Sequence, residues 1–267
     1  MRFVKMHGIG NDYVYVDCFQ NPTPIDPSAV SQHVSKRHYS IGADGLILIE
    51  PSEVADAAMR VFNADGSEAE MCGNGIRCVA KYVHDAGICP NDSLSIETKA
   101  GIKRIQLTIE NGVAVAARVD MGVPVIMMKD KLIDILGESL HVTGVDMGNP
   151  HAITFVDALP QGERFFVLGA AIECDAHFPN KTNAEFVQVT ARNAIAVRVW
   201  ERGSGETLAC GTGACASLVA AVVNGHCDRK VTVALKGGAL MIEWNEMDGH
   251  VYMEGPATVA FVGEVDV

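Results

Sequence analysis

Apolar positions along the chain fall in short runs broken at close intervals by turn residues, a pattern of many strands and few helices. Residues 3–6 and the Tyr-Val-Tyr-Val run at 13–16 read as strands around the turn Gly8-Ile9-Gly10-Asn11-Asp12. Pro27-Ser28 marks a helix start, with a helix expected over 29–38. Residues 46–49 and 59–62 read as strands, bounded by turns at 42–45 and 63–67. Ile76, Val79, Ala80 and Val83 form a helical stripe that Ala86-Gly87 ends. Strands are expected at 94–98, 104–109 and 113–119. Further on, strands are expected at 152–156, 186–189, 195–200, 231–235, 239–244 and 251–253, with helices at 165–173 and 214–223. The last helix is apolar nearly all round, so it should be buried on most sides.

The two halves align. Cys72 and Cys210 lie 138 positions apart, as do Asn63 and Glu201, Asn11 and Asn149, and Gly45 and Asn183; Gly101 and Gly238 lie 137 apart. Several anchors at one offset predict two copies of one unit. Each copy has short strands around one apolar helix that starts at a cysteine. A pseudo-twofold arrangement is expected to bring both helix starts to one cleft.

Composition narrows the function. The 267 residues are 48% hydrophobic with a formal net charge of −12, which argues against nucleic acid or an anionic membrane as the main partner. The first residues carry no signal-peptide core, and no run is long enough to cross a bilayer, so a cytoplasmic protein is expected. The eight cysteines are expected as free thiols. No metal is expected, because the spacings Cys72…Cys78 and Cys210…Cys215 do not suit a zinc site. No cofactor is expected either: the Gly8-Ile9-Gly10 turn opens no helix, and no phosphate-binding lysine loop is present.

The chemistry centres on Cys72-Gly73-Asn74-Gly75 and Cys210-Gly211-Thr212-Gly213. Backbone N–H groups at a helix start hold a carboxylate, and the helix dipole is expected to lower the cysteine pKa toward working pH. With a carboxylate at Gly73, Asn74, Gly211 and Thr212, the two thiols flank the neighbouring Cα. One as thiolate removes its proton and the other returns one to the opposite face. Arg202 suits a second carboxylate and Glu201 an ammonium. Asn11, Asn63, Asn149 and Asn183 are expected to hydrogen-bond the ligand, and His151 is a supporting candidate.

These stretches, with Lys5-Met6-His7-Gly8-Ile9-Gly10-Asn11-Asp12, Phe62-Asn63-Ala64-Asp65-Gly66-Ser67-Glu68, Met147-Gly148-Asn149-Pro150-His151 and Glu201-Arg202-Gly203-Ser204-Gly205-Glu206-Thr207, resemble the diaminopimelate epimerase family over the whole chain. The resemblance implies an α+β fold of two pseudo-symmetric domains, each a mainly antiparallel strand barrel around a central helix. Residues 1–118 with the C-terminal strand 258–267 would form one half, and 119–257 the other. It also implies a cofactor-independent homodimer interconverting LL- and meso-diaminopimelate for lysine and cell-wall precursors. Cys72 and Cys210 would be the acid–bases; Asn11, Asn63, Asn149, Asn183, Glu201 and Arg202 would bind substrate. Gly45 departs from relatives that carry a glutamine there, so no side-chain role is assigned to it. Two alternatives stay open: a racemase or epimerase of another amino acid, proline racemase-like, and a non-catalytic amino-acid-binding protein with a redox-responsive cysteine pair.

Overall fold

The computed structural model describes residues Met1–Val267. In chain order the first elements are β1 (Arg2–Gly8), β2 (Asn11–Asp17), α1 (Pro27–Val34), β3 (Gly45–Glu50), β4 (Ala57–Asn63), β5 (Glu68–Ala69), α2 (Gly73–Asp85), β6 (Ser93–Thr98), β7 (Gly101–Glu110) and β8 (Val113–Asp120). There follow β9 (Val125–Ile135), β10 (Glu138–Asp146), β11 (Pro150–Phe155), α3 (Gly162–Glu173), β12 (Asn183–Ala191), β13 (Ala194–Glu201) and β14 (Gly205–Glu206). The chain ends with α4 (Gly211–Val223), β15 (Lys230–Leu235), β16 (Gly238–Trp244), β17 (Val251–Pro256) and β18 (Thr258–Glu264). The chain divides into two units, Met1–Val119 with Gly255–Val267, and Asp120–Glu254.

In the first unit the strands run β18–β1–β2–β3–β4–β6–β7–β8, all neighbours antiparallel except β2–β3 and β4–β6. In the second the order is β9–β10–β11–β12–β13–β15–β16–β17, with β11–β12 and β13–β15 parallel. The two orders correspond strand for strand, with β18, the last strand of the chain, standing where β9 stands in the other unit. Register corresponds too. Tyr13 pairs with Gly45 and Gly45 with Asn63; His151 pairs with Asn183. Each sheet curls about one helix: α2 packs on β1, β2, β4, β6 and β7, and α4 on β10, β11, β12, β13, β15 and β16.

A second helix covers the outer face of each sheet. Val14, Val16, Leu46, Leu48 and Phe62 pack with Val34 of α1, while Ile47 of β3 lies 2.5 Å from where a Cβ on Gly75 of α2 would stand. Strands covered on both faces need apolar residues at every position, which is why 46–49 is a continuous apolar run. In the second unit Phe165, Leu168 and Ile172 of α3 pack with Phe186, Ala184 and Ile133. Full burial of a side chain such as Phe165 stabilises by roughly 1.5–3 kcal/mol.

Several boundaries differ from expectation. Helix α1 ends at Val34, not at 38: Gly42 N–H donates to the Val34 carbonyl at 2.9 Å, and His38 has φ +71°. Its start is set by Pro27 and by Asp26, whose carboxylate accepts the Ala29 N–H at 3.0 Å. Helix α3 begins three residues earlier than the apolar pattern suggests. The hairpin β9–β10, turning at Leu136 and Gly137 (φ 56° and 82°), has no counterpart among the expected strands. Strand β9 is mostly exposed and carries Lys129, Asp130 and Lys131. Charges on an edge strand guard it against pairing with other chains, and they also erase the alternation that marks a strand. No helix is long and apolar enough to cross a membrane.

Candidate active site

Both central helices start on a cysteine doing the work of a cap. Cys72 (φ −134°, ψ 114°) precedes α2 and its Sγ accepts the Gly75 N–H at 3.3 Å; Cys210 (φ −113°, ψ 112°) precedes α4 and accepts the Gly213 N–H at 3.3 Å. Ser, Thr, Asp and Asn are the residues that favour this position. A thiol stands there in both units, with the same geometry. The N–H groups of Gly73, Asn74, Gly211 and Thr212 occupy the first helical positions, which have no intrahelical acceptors, and the helix dipole favours an anion there.

The segment ahead of each cysteine is held by a glutamate between an arginine and a lysine in both units. Glu68 of β5 meets Arg60 at 2.8 Å and Lys99 at 2.5 Å; Glu206 of β14 meets Arg198 at 2.9 Å and Lys236 at 3.4 Å. The Arg198 guanidinium also lies over the Phe165 ring, 3.8 Å from its centroid.

In the first unit, Cys72 is half-buried and its Sγ lies 3.4 Å from Asn11 Oδ1. The Asn11 amide in turn donates to Asp44 at 2.8 Å, and Asp44 also accepts the Asp12 N–H. Asp12 is held by Lys5 and Arg37, which keep its carboxyl below the usual range against the effect of burial. Asn74 is buried in the first turn of α2. Asn63, at the end of β4, donates to the Ser67 hydroxyl at 3.0 Å.

The second unit differs in its charges. His151 and Glu185 are fully enclosed: His151 Nδ1 lies 2.7 Å from Glu185 Oε1, and Nε2 lies 3.1 Å from Asn149 Oδ1. A Cβ added at Gly213 would stand 2.6 Å from Glu185 Oε1 and 3.2 Å from Cys210 Sγ, so carboxylate and thiol share the space beside that glycine. Glu201 accepts the Thr207 hydroxyl and lies within hydrogen-bonding reach of Cys210. Thr212 Oγ1 is 3.5 Å from Cys210 Sγ. Asn183 is buried with both ends of its amide engaged, donating to the Pro150 carbonyl and accepting the Arg202 N–H, each at 2.9 Å. The Arg202 side chain is exposed and donates to the Asn180 carbonyl at 3.1 Å.

The expected lowering of the cysteine pKa does not hold for Cys210. Burial pushes this thiol well above its ordinary range, and the Glu201 and Glu185 carboxylates push it the same way. The contacts with Thr212 and the Gly213 N–H pull against them and lose. Burial also raises Glu201 above the usual carboxylate range, against its bonds to Thr207 and Cys210.

Comparison with known proteins agrees with this duplicated arrangement. The profile of the family described as diaminopimelate epimerase matches residues 3–127 and 143–260. The chain belongs to the diaminopimelate epimerase family. It is 52% identical to the diaminopimelate epimerase of Acetivibrio thermocellus, over 100% of this chain and 99% of that protein. It is 51% identical to that of Methanococcus maripaludis, over the full length of both. Solved structures with the same fold include a Bacillus anthracis phenazine biosynthesis protein of the PhzF family (TM-score 0.76, 18% identity, covering 100% of this chain and 99% of that one). A probable proline racemase from Agrobacterium radiobacter is similar to the same degree (TM-score 0.76, 17% identity, 100% and 93%). At these identities the likeness is one of fold.

Reading of the sequence missed Glu185, Thr207 and Asp44, which hold His151, Glu201 and Asn11. Glu185 had a visible signal: it is a lone carboxylate within the apolar strand β12, and a charge at a buried strand position calls for a partner. Thr207 closes the Glu201–Thr207 stretch, but nothing in the sequence pointed to its bond with Glu201; Asp44 sits in a bend among polar residues and had no signal.

Proposed function

We propose that this chain interconverts LL- and meso-diaminopimelate, with Cys72 and Cys210 as the two acid–bases acting on opposite faces of one Cα. The duplicated thiol cap carries the reading: the same residue type stands at the same helix position in both repeats. Inversion needs that duplication, because a single base returns the proton to the face it left.

In one direction a thiolate takes the Cα proton, the electron pair spreads into the carboxylate, and the second thiol delivers its proton to the other face. The protein ends with thiol and thiolate exchanged, so atoms and charge balance without a redox step. Donors at Gly73, Asn74, Gly211 and Thr212 strengthen as charge builds on the carboxylate. Burial, Glu201 and Glu185 all favour the thiol form of Cys210, the form that returns a proton. Asn11, Asn63, Asn149, Asn183, Glu201 and Arg202 bind the substrate's polar groups, with Arg202 on the distal carboxylate and Glu201 on an ammonium. His151 supports this side of the site through its contact with Asn149. The family resemblance further supports a cytoplasmic homodimer serving lysine and cell-wall precursor synthesis.

The test is entry of solvent deuterium at Cα of LL-diaminopimelate with reduced protein. We expect exchange accompanied by the meso isomer, and loss of interconversion in Cys72→Ala and in Cys210→Ala. Full activity in either variant overturns the two-base scheme; no exchange in the parent protein overturns the assignment.

A further inference from the structure

The pair Glu201-Arg202 stands on a turn that one residue of α3 grips from both ends. Glu173, the last residue of that helix, is buried. Its Oε2 accepts the indole N–H of Trp200, just before the pair, at 2.8 Å, and its Oε1 accepts the backbone N–H of Gly203, just after it, at 3.2 Å. Lys181 Nζ donates to the same Oε1 at 3.2 Å. Burial works to raise this carboxyl, but the bonds from Trp200, Lys181 and Gly203 outweigh it and hold it below the usual carboxylate range. Gly169 lies one turn earlier on the same face of α3 and lets Trp200 reach the helix: a Cβ there would stand 2.8 Å from Trp200 Cβ and Cγ.

We propose that Glu173 is a positioning residue for Arg202: it holds the peptide that follows Arg202 and so presents the guanidinium to the substrate's distal carboxylate. The inference rests on the reading of Arg202 given above. The N–H of Arg202 itself is taken by Asn183 Oδ1 at 2.9 Å, and the N–H of the next peptide by Glu173. Both peptide planes around the Arg202 Cα are therefore pinned. A residue has only two soft backbone dihedrals, so its Cα–Cβ direction is fixed even though the guanidinium is exposed. Direction matters because a guanidinium grips a carboxylate through parallel, planar bonds. Glu173 reaches the Asn183 side of this clamp as well, since its carbonyl accepts the Thr182 N–H at 3.1 Å. Its hydrogen bonds go to Trp200, Gly203, Lys181 and Thr182, and to neither acid–base cysteine. The other unit holds the matching turn without a charge. There Ser31 of α1, at the position matching Gly169, donates its hydroxyl to the Phe62 and Asn63 carbonyls at 3.0 and 2.8 Å, and Ala64 stands where the second unit has Arg202. The charged grip accompanies the turn that carries the charged pair.

The experiment is Glu173→Gln in the reduced full-length enzyme, with KM and kcat for LL-diaminopimelate measured alone and in combination with Arg202→Ala. Three donors meet the two oxygens of Glu173, so whichever way an amide turns, its NH2 group faces a donor. We expect KM to rise roughly three-fold, within what one hydrogen bond contributes, with kcat within about two-fold of the parent. The rise is smaller than that of Arg202→Ala, because the guanidinium is displaced and not removed. In the Arg202→Ala background Glu173→Gln should leave KM where the single variant puts it, since residues that act through one contact are not additive. A merely structural role lowers the amount of active protein, and with it the apparent kcat, and leaves KM in place; that result overturns the inference. So does a rise in KM that persists in full without Arg202. Trp200→Phe keeps an aromatic ring against Gly169 and removes only the N–H, so KM should rise in the same direction. An unmoved KM there overturns the inference whether or not Glu173→Gln folds. If Arg202→Ala by itself keeps the parental KM, the reading of Arg202 fails first and this inference falls with it.

Discussion

The enclosed His151–Glu185 pair offers a double-mutant cycle that separates stability from chemistry. Both side chains are fully buried and the contact is 2.7 Å. Replacing His151 by Leu leaves the Glu185 carboxylate enclosed without its partner, which costs about 3–5 kcal/mol. For a chain of this size each kcal/mol moves Tm by roughly 2–4 °C, so Tm should fall by about 6–20 °C. Glu185→Leu leaves the ring one partner in Asn149 and should cost about 1–3 kcal/mol. In the double variant two leucines of similar volume replace the pair, and such exchanges are often neutral or stabilising. The coupling energy from urea titrations should therefore be about 3 kcal/mol or more, with the double variant more stable than His151→Leu. Activity should not recover with it. Glu185 is one of the two carboxylates that hold Cys210 as a thiol. Removing a negative neighbour favours thiolate, so the alkylation onset of Cys210 should move to lower pH. A double variant as unstable as the sum of the singles refutes the energetic argument, and an unmoved Cys210 onset refutes the electrostatic one.

Two further substitutions probe the same site. Gly213→Ala introduces a better helix former into α4, yet its Cβ would stand 2.6 Å from Glu185 Oε1 and 3.2 Å from Cys210 Sγ. Epimerisation should fall at least ten-fold, on the order of 1.4 kcal/mol in the barrier, while far-ultraviolet circular dichroism is retained; a parental rate contradicts the placement of thiol and carboxylate. Arg202→Ala removes an exposed guanidinium that donates to the Asn180 carbonyl, so stability should stay within about 0.5 kcal/mol of the parent. Its KM for diaminopimelate should rise several-fold, and unchanged kinetics would remove Arg202 from the substrate's distal end.

The order of elements was legible wherever residues repeat a period or a spacing. Ile76, Val79, Ala80 and Val83 marked α2 because one helix face must be apolar, and 46–49 marked β3 because both faces of that strand are covered. The hairpin β9–β10 was illegible because an exposed strand needs no alternation, only backbone partners. The residues that hold the candidate site were illegible for another reason. Glu185 meets His151 only because β12 lies parallel to β11, a pairing between segments more than thirty positions apart.

By itself the sequence determined the duplication, the two cysteine-led helices and the membership of a family, since all three depend on residue identity at a constant offset. The tertiary structure decided the charge environment of the thiols. A helix start alone argues for a lowered pKa at both cysteines, but pKa responds to burial and to every charge nearby. Only the folded chain puts Glu201 and Glu185 against Cys210 and the Asn11 amide against Cys72. Two motifs that look alike in sequence therefore differ in chemistry, because the strands beside them bring different neighbours.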